Sequence, residues 1–185
     1  MVSIRHRALV NRRFINPLPS MPLNAMIAKI SGLCLALGGL ALNCALATTR
    51  YVPSPDGQEI ADSKTGLVWR RCAEGMVWKT NTCTSPAWYP DHQSAQALAV
   101  AAATAGHPWR LPTLQELSGI VAVREAGNGK AAIDPAAFPA TPLARFWSSS
   151  SVGHGYFMYV AFTEGSAGEG ARNAPGAVRL VRSPK

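Results

Sequence analysis

Short runs of apolar residues flanked by polar ones predict two strands in the first part of the folded region. Residues 59–62 (EIAD) and 65–69 (TGLVW) are too short for helices, and Ser63-Lys64 between them is typical of a turn. Residues 72–90 show little periodicity. The pattern predicts two strands joined by a turn, followed by an irregular loop.

The middle of the chain predicts a helix that begins after Pro90, with Asp91 as its cap. Its apolar stripe has the spacing i, i+3, i+4 and i+7 of one helix face and consists of Ala95, Leu98, Ala99 and Ala102. Gly106 is the predicted end. These small side chains permit close packing on a sheet or a second helix.

A second helix is predicted over residues 114–124, directly after the stretch HPWRLPTLQEL. Thr113 and Glu116 have the spacing of a capping box, in which each side chain bonds the other residue's backbone N–H. Pro112 and Leu117 can add the apolar staple that accompanies this motif. The stretch therefore fixes the angle at which the chain enters the helix.

The last third of the chain is mainly β. Residues 145–148 and 155–162 predict strands, and the second is apolar on both faces, which is typical of a central strand. Residues 163–176 contain four glycines and predict a long loop, and residues 177–182 predict the last strand. Two helices within a mainly β sequence indicate an α+β domain, with the helices packed on a small twisted, mainly antiparallel sheet.

The first 47 residues have the features of a leader. Residues 26–47 contain one charge, an apolar run over 30–42 and the sequence Ala45-Leu46-Ala47, which signal peptidase accepts. An apolar run of about a dozen residues is shorter than the roughly 20 that span a membrane. We predict a cleaved signal peptide over 26–47, rather than an uncleaved anchor, preceded by a basic extension over 1–25. That extension could reflect a misassigned start, with Met21 or Met26 as the true first residue.

Most of the positive charge belongs to the leader. Residues 1–47 hold five of the 18 Lys and Arg and none of the 10 Asp and Glu, so the formal charge falls from +8 to +3. No basic cluster longer than Arg70-Arg71 remains, which argues against a nucleic-acid partner. What remains is a flexible lead-in over 48–58 and a single exported domain over 59–185, with no stable membrane span.

Two of the four cysteines, Cys72 and Cys83, lie outside the leader. In an exported protein such a pair predicts a disulfide. The spacing differs from that of a redox CxxC motif, and no further His or Cys completes a zinc site. A structural bridge is the favoured interpretation.

Nucleophilic catalysis needs a Ser or Cys close to a His and an orienting acid. Ser148–Ser151 with His154 is the one candidate, but no nucleophile-elbow glycines surround these serines. His92 and His107 are predicted to be solvated. The sequence therefore favours a protein without catalytic residues and without a bound metal or cofactor, with a hydrolase as a remote alternative.

An ordered series of motifs resembles a known family. The series is similar to the C-terminal domain of the Legionella collagen-like adhesin, a family largely of unknown function. Its motifs, in chain order, are TGLVW, WRLPTLQEL, IDPAAFP, FWSSS, a strand with Phe162 and Gly165, and a closing VRLVR. The likeness covers residues 62–182. It implies a fold related to C-type lectins and formylglycine-generating enzymes, in which Trp109 and Arg110 lock the second helix against the sheet. The alternative interpretation is functional, with Trp109 stacking on a sugar beside a ligand-binding Arg110. At position 180 this chain has Leu, whereas we expect many relatives to have Cys there.

The related folds suggest two kinds of chemistry that this sequence does not support. Formylglycine generation needs a late pair of copper-binding cysteines, and none follows Cys83. Lectin-type calcium binding uses triplets such as EPN or WND, which are absent here. Glu164, Glu169 and Asn173 share one predicted loop and could bind calcium, but a solvated loop is the favoured interpretation.

The resulting hypothesis separates scaffold from binding residues. The predicted structural residues are Trp69, Trp109, Arg110, Leu111, Pro112, Thr113, Glu116 and Trp147. The predicted binding residues lie in or near the glycine-rich loop and are Arg145, His154, Glu164, Glu169, Arg172 and Asn173. We predict an exported, adhesin-like binding domain for a glycan or a protein, in the periplasm or at the cell surface. The alternative is a structural accessory subunit of a pilus or envelope assembly.

Overall fold

The computed structural model describes residues 49–103 and 107–184. The predicted leader and the predicted helix end at Gly106 lie outside these residues. Within them are helices α1 (His92–Ala103) and α2 (Leu114–Gly119) and a 3₁₀ turn (Val123–Glu125). The strands, in chain order, are β1 (Tyr51–Pro53), β2 (Glu59–Asp62), β3 (Leu67–Arg70), β4 (Val77–Lys79), β5 (Thr82–Thr84), β6 (Arg145–Gly153), β7 (Tyr156–Ala161), β8 (Ser166–Ala171) and β9 (Val181–Arg182).

The described strands form three small sheets, in the orders β1-β2-β3-β9, β4-β5 and β6-β7-β8. All their strand pairs are antiparallel. The predicted strands at 59–62 and 65–69 are confirmed as β2 and β3, and β7 is central, as its apolar faces indicated. The α+β class is therefore confirmed, whereas the likeness to C-type lectins stays a prediction.

Part of the predicted lead-in forms an edge strand. β1 pairs with β2, with Tyr51 opposite Asp62. Arg50 donates two hydrogen bonds to the buried Asp62 carboxylate, at 2.9 and 2.8 Å, and a third to the Gly119 carbonyl. Burial alone would raise the pKa of Asp62, but the bonds from Arg50 and from the Lys64 N–H outweigh it, so this pKa is lowered. The ion pair fastens the lead-in to the sheet.

The segment predicted as an irregular loop contains the hairpin β4-β5, in which Trp78 lies opposite Cys83. Cys72 and Cys83 form a disulfide with their Cα atoms 5.5 Å apart, within the usual range for such bridges. The predicted disulfide is confirmed. Because Cys72 follows β3 closely, the bridge ties the hairpin to the end of the first sheet.

The prediction of a long loop over 163–176 is wrong, because β8 occupies its centre and pairs with β7 along its whole length. The glycines of this strand serve close packing. A Cβ atom on Gly168 would lie 2.6 Å from the Tyr159 hydroxyl, and one on Gly170 would lie 2.7 Å from the Trp147 ring. Aromatic rings therefore cover the strand where side chains would normally stand. Glycine content alone suggested a loop, and only the packing shows a strand.

We expect Gly170→Ala to lower the free energy of unfolding by about 1–3 kcal/mol, the usual cost of overpacking a filled core. The new methyl group would meet Trp147, which is buried and cannot move aside. Chemical denaturation followed by Trp fluorescence measures the change. Gly119→Ala is the matched control, because its Cβ would enter open space. Equal stabilities of the two variants would contradict the packing argument.

The second helix is shorter than the predicted 114–124, since α2 ends at Gly119. Beyond it, Val121 pairs with Ile133, and the Ala122 N–H donates to the Ala132 carbonyl at 2.9 Å. The backbone thus bonds to a distant segment and cannot continue the helix. The apolar side chains at 117, 120 and 121 still turn inward, which is why their spacing suggested a longer helix.

The last strand is also shorter than predicted, and only Val181–Arg182 joins a ladder. At the start of the predicted strand, Ala177 bridges Phe146 of β6, whereas Val181 pairs with Trp69 of β3. Residues 177–182 therefore cross from one sheet to the other. This crossing connects the two larger sheets and places the Arg179 side chain in the interior.

The Trp109-to-Glu116 stretch makes contacts both with the last strand and with the start of α2. Arg110 bridges Val181 through the backbone and contacts both Glu116 carboxylate oxygens at 2.7 Å. Thr113 and Glu116 form both bonds of the predicted capping box. Trp109, Leu111 and Pro112 are buried. The stretch joins α2 to the last strand.

We expect the Arg110–Glu116 pair to stabilise the fold at neutral pH and to lose this effect in acid. Hydrogen bonds from Arg110, followed by the capping bond, lower the pKa of Glu116 below 4.5 despite partial burial. Folding therefore favours the ionised carboxylate, so its contribution is complete above pH 4.5 and is lost as the pH falls through the lowered pKa. Thermal melts between neutral and acidic pH should show a shallower acid loss for Glu116→Gln. Arg110→Gln should likewise reduce the loss of thermal stability over this pH range. If the melting temperatures of both variants depended on pH as that of wild type does, the pairing would be refuted.

Candidate ligand cavity

The six predicted binding residues lie on or beside the β6-β7-β8 sheet but do not come together. Arg145 and Glu164 belong to one end of the sheet, His154, Arg172 and Asn173 to the other, and Glu169 to the middle of β8. At the end that contains His154, the Arg172 N–H donates to the Gly155 carbonyl at 2.7 Å, and this bond fixes the turn after β6 to the end of β8. A ligand role for either end stays a prediction. The proposed calcium set is not assembled, because Glu164 and Asn173 lie at opposite ends of β8.

The serines of β6 bond to the scaffold. Ser148 is buried and donates to the Met158 carbonyl at 2.8 Å, and the Ser150 hydroxyl accepts the Leu114 N–H at the start of α2. His154 is exposed in the turn after β6. Within residues 49–103 and 107–184 no hydrogen bond joins His154 to these serines. The geometry gives no support to a Ser–His nucleophile.

The prediction that His92 is solvated is wrong. Its side chain is buried, stacks on Phe157 with ring centroids 3.5 Å apart, and has Nε2 at 2.8 Å from the Ser148 carbonyl oxygen. Burial lowers the pKa of His92, although the contact with Ser148 opposes this effect. A neutral imidazole that donates from Nε2 fits these surroundings. His92 therefore fastens α1 to β6.

A cavity of about 330 Å³ lies where three separate segments of the chain meet. We call it the tryptophan cavity. It is lined by Asp56, Gln58, Glu59, Arg70, Cys72, Ala73, Glu74, Met76, Trp78, Ala102, His107 and Trp109. None of the six predicted binding residues is among them. The cavity combines two indole rings with several carboxylates and an amide.

Trp109 is flanked by two arginines, each bonded to a carboxylate. The Arg70 and Arg182 guanidinium carbons lie 5.1 and 5.2 Å from its ring centroid. Arg70 contacts Glu74 at 3.0 and 3.1 Å, and Arg182 contacts Glu59 at 2.6 Å. The indole favours a cation against its face, and each carboxylate fixes the position of one cation. This side of the cavity is therefore set before any ligand enters.

Trp78, which belongs to β4, is held in place by Arg71 and Gly57. The Arg71 guanidinium carbon lies 4.3 Å from its ring centroid, and Gly57 approaches so closely that a Cβ there would be 2.9 Å from the ring. Arg71 also donates to the carbonyls of Gly57, Ala136 and Ala137 at 3.1, 2.6 and 2.8 Å. These bonds fix the Arg71 guanidinium group, which in turn limits how far the half-buried Trp78 indole can move.

Glu74 is a largely buried acid at the cavity. Burial raises its pKa above the usual value, while the charge and hydrogen bonds of Arg70 oppose this shift. The backbone beside it is also fixed, because the Trp88 N–H donates to the Glu74 carbonyl at 2.8 Å. Glu74 thus presents a carboxyl group of constrained direction next to the aromatic surface.

Arg179 supports the cavity from the interior. It is fully buried and donates to the carbonyls of Arg70 and Arg71 and, at 2.9 Å, to the Thr141 hydroxyl. Burial lowers its pKa to about 9, and the Glu74 charge opposes the shift. These bonds satisfy backbone acceptors directly before Cys72. Arg179 therefore fixes the backbone from which Arg70 and Arg71 project.

Sequence reasoning missed this site for a topological reason. Its lining comes from residues 56–59 and 70–78 and from Ala102, His107 and Trp109, and residues 56–58 lay in the predicted flexible lead-in. Trp78 and Trp109 were visible signals, but neither their sequence separation nor any local motif places them together. The described residues contain no group of three or more His, Cys, Asp or Glu placed to hold a metal ion.

Comparison with known proteins identifies a family. The family model described as the Lcl C-terminal domain matches residues 58–182. Searches of curated proteins and of solved structures found no match. Among the described helices, none has the length and apolar character needed to cross a membrane.

Proposed function

Because the chain belongs to the Lcl C-terminal domain family, we propose that it is an exported recognition domain that binds a saccharide in the tryptophan cavity. The family is one of adhesin-like domains, which supports contact with an external partner. The signal-like segment over 26–47 supports export to the periplasm or the cell surface. Recognition requires no catalytic group, in keeping with the scaffold roles of the β6 serines.

The observation that carries this proposal is the pairing of indole rings with fixed polar groups in one cavity. Sugar rings present apolar C–H faces, which pack on aromatic surfaces, and hydroxyls, which bond to planar side chains such as carboxylates, amides and guanidinium groups. The tryptophan cavity offers both, through the half-buried Trp78 ring and through Gln58, Glu59 and Glu74. Its volume of about 330 Å³ is at the lower end for ligand sites.

Preorganisation strengthens this argument. The ion pairs Arg70–Glu74 and Arg182–Glu59 hold polar groups in place, so binding would order few side chains. The buried Nδ1 atom of His107, a residue of the lining, has no hydrogen-bond partner within the described residues.

We expect Trp78→Ala to weaken saccharide binding about tenfold or more, because the variant removes one aromatic wall, and tenfold corresponds to about 1.4 kcal/mol. Glycan-array screening followed by calorimetric titration of the best ligand measures the loss. Trp88→Ala is the matched control, since Trp88 is an exposed tryptophan outside the cavity lining. Equal losses in both variants, or no saccharide bound by the wild type, would reject the proposal.

The accessory-subunit alternative has one structural observation in its favour. β8 is an edge strand within the described sheet, so its outer backbone groups could pair with a strand from another subunit. Recovery of an intact pilus or envelope complex with the wild-type protein, but not with an Ala167→Pro variant, would favour that role.

A further inference from the structure

The charges around the tryptophan cavity are balanced, and four of the six belong to ion pairs. Its lining contains three carboxylates, on Asp56, Glu59 and Glu74. Three guanidinium groups bond to these residues or stack on the lining indoles, those of Arg70, Arg71 and Arg182. The formal charge of the combined group is therefore zero.

Each guanidinium group is committed within the protein. Arg70 bonds to Glu74 and Arg182 to Glu59, while Arg71 donates to three backbone carbonyls. A sulfate or carboxylate on a ligand would have to compete with the protein's own acceptors for these guanidinium groups, and the three lining carboxylates would repel it. The cost of transferring a charge from water is recovered only by a well-placed opposite charge.

Asp56, which is not in an ion pair, is also engaged. Its carboxylate accepts the Ser54 hydroxyl at 2.6 Å, the Gln58 N–H at 3.1 Å and the Gln58 side-chain amide at 3.1 Å. It is exposed at the rim of the cavity. A carboxylate keeps further lone pairs that can accept a hydroxyl proton. The lining therefore offers many hydrogen-bond acceptors and the aromatic surface of Trp78, but no unpaired cation for an anionic group.

We propose that the tryptophan cavity selects an uncharged saccharide residue, a neutral hexose or an N-acetylhexosamine, over sulfated and carboxylated sugars. This inference rests on the proposed saccharide-binding function. Neutral hydroxyls donate to the carboxylate oxygens, and a C–H face of the ring packs on Trp78. An N-acetyl group adds an amide without adding charge.

The experiment compares matched probes on protein produced from the full chain, at an ionic strength of about 0.15 M, so that weak surface attraction is screened. The neutral probes are cellobiose, lactose, mannobiose and N,N′-diacetylchitobiose. The charged probes are a hyaluronan tetrasaccharide, which carries carboxylates, and a heparin tetrasaccharide, which also carries sulfates. Each is titrated into wild type, Trp78→Ala and Trp88→Ala, with circular dichroism confirming the fold of every variant.

The expected result is that at least one neutral probe binds about tenfold or more tightly than both charged probes, and that Trp78→Ala alone loses it. Tighter binding of heparin or hyaluronan would overturn the inference. If that binding is also lost in Trp78→Ala, saccharide recognition by the cavity still stands. Binding of no probe, or neutral binding indifferent to Trp78→Ala, would instead count against the proposed function itself.

A second variant tests the charge argument directly. Glu74→Gln keeps the side-chain shape but releases Arg70 from its ion pair. The hyaluronan tetrasaccharide should then bind about threefold or more tightly than it binds wild type, because a cation has become free. Unchanged hyaluronan binding by a folded Glu74→Gln variant would contradict the role of paired charges in selection.

Discussion

The Arg179→Met variant is expected to have a free energy of unfolding about 3–5 kcal/mol below that of wild type, because three acceptors lose the donor that a fully buried guanidinium group supplies. These acceptors are the carbonyls of Arg70 and Arg71 and the hydroxyl of Thr141. Methionine fills a similar volume, so the loss reports hydrogen bonding more than cavity formation. Urea denaturation followed by Trp fluorescence measures it.

Arg124→Met is the matched control, because Arg124 is exposed and the same substitution there should change stability by less than about 0.5 kcal/mol. Replacing a buried charge by an apolar side chain can be neutral when no partner is left unsatisfied. A stability for Arg179→Met equal to that of Arg124→Met would therefore show that the carbonyls find other partners. It would also remove Arg179 as the support of the cavity.

The second large effect is expected from Cys72→Ser/Cys83→Ser, which should lower the free energy of unfolding by about 2–4 kcal/mol. The bridge closes a loop with a sequence separation of 11 and ties the β4-β5 hairpin to the end of β3. Without it the unfolded chain gains conformational freedom. The hairpin carries Trp78, so loss of the bridge should also weaken saccharide binding through a less well-fixed cavity wall.

Reduction supplies the control for this prediction. Dithiothreitol should destabilise the wild type to a similar extent and should leave the double Ser variant unchanged. Denaturation with and without reductant separates loss of the bridge from any cost of the serine side chains. A loss below about 1 kcal/mol, the low end for disulfides, would show that the hairpin contacts hold this region without the bridge.

The local signals in the sequence predicted local structure well. The Thr113–Glu116 capping box depends on residues three apart, and its two bonds form as their spacing indicates. The apolar run that identified β7 as central and the paired cysteines outside the leader were similarly informative. In each case the side chains that decide the structure are close in the chain or few in number.

The failures share a physical cause, which is that distant contacts decided the backbone. The glycines of β8 resembled a loop because the rings of Trp147 and Tyr159, which require them, come from other strands. α2 ends early because the backbone after Ile120 bonds to residues 132 and 133. His92 has a polar side chain in a first helical turn, and only its stack on Phe157 shows that it is buried.

The sequence by itself determined the α+β class, the capped start of α2, the disulfide pair and the family, because each depends on composition, short spacing or an ordered series of motifs. Only the tertiary structure decided where the tryptophan cavity, the proposed ligand site, lies. It combines residues 56–59 and 70–78 with Ala102, His107 and Trp109, and a buried arginine at position 179 fixes part of its wall. No local sequence pattern predicts that these segments meet, because their burial and charge pairing arise only when the sheets pack together.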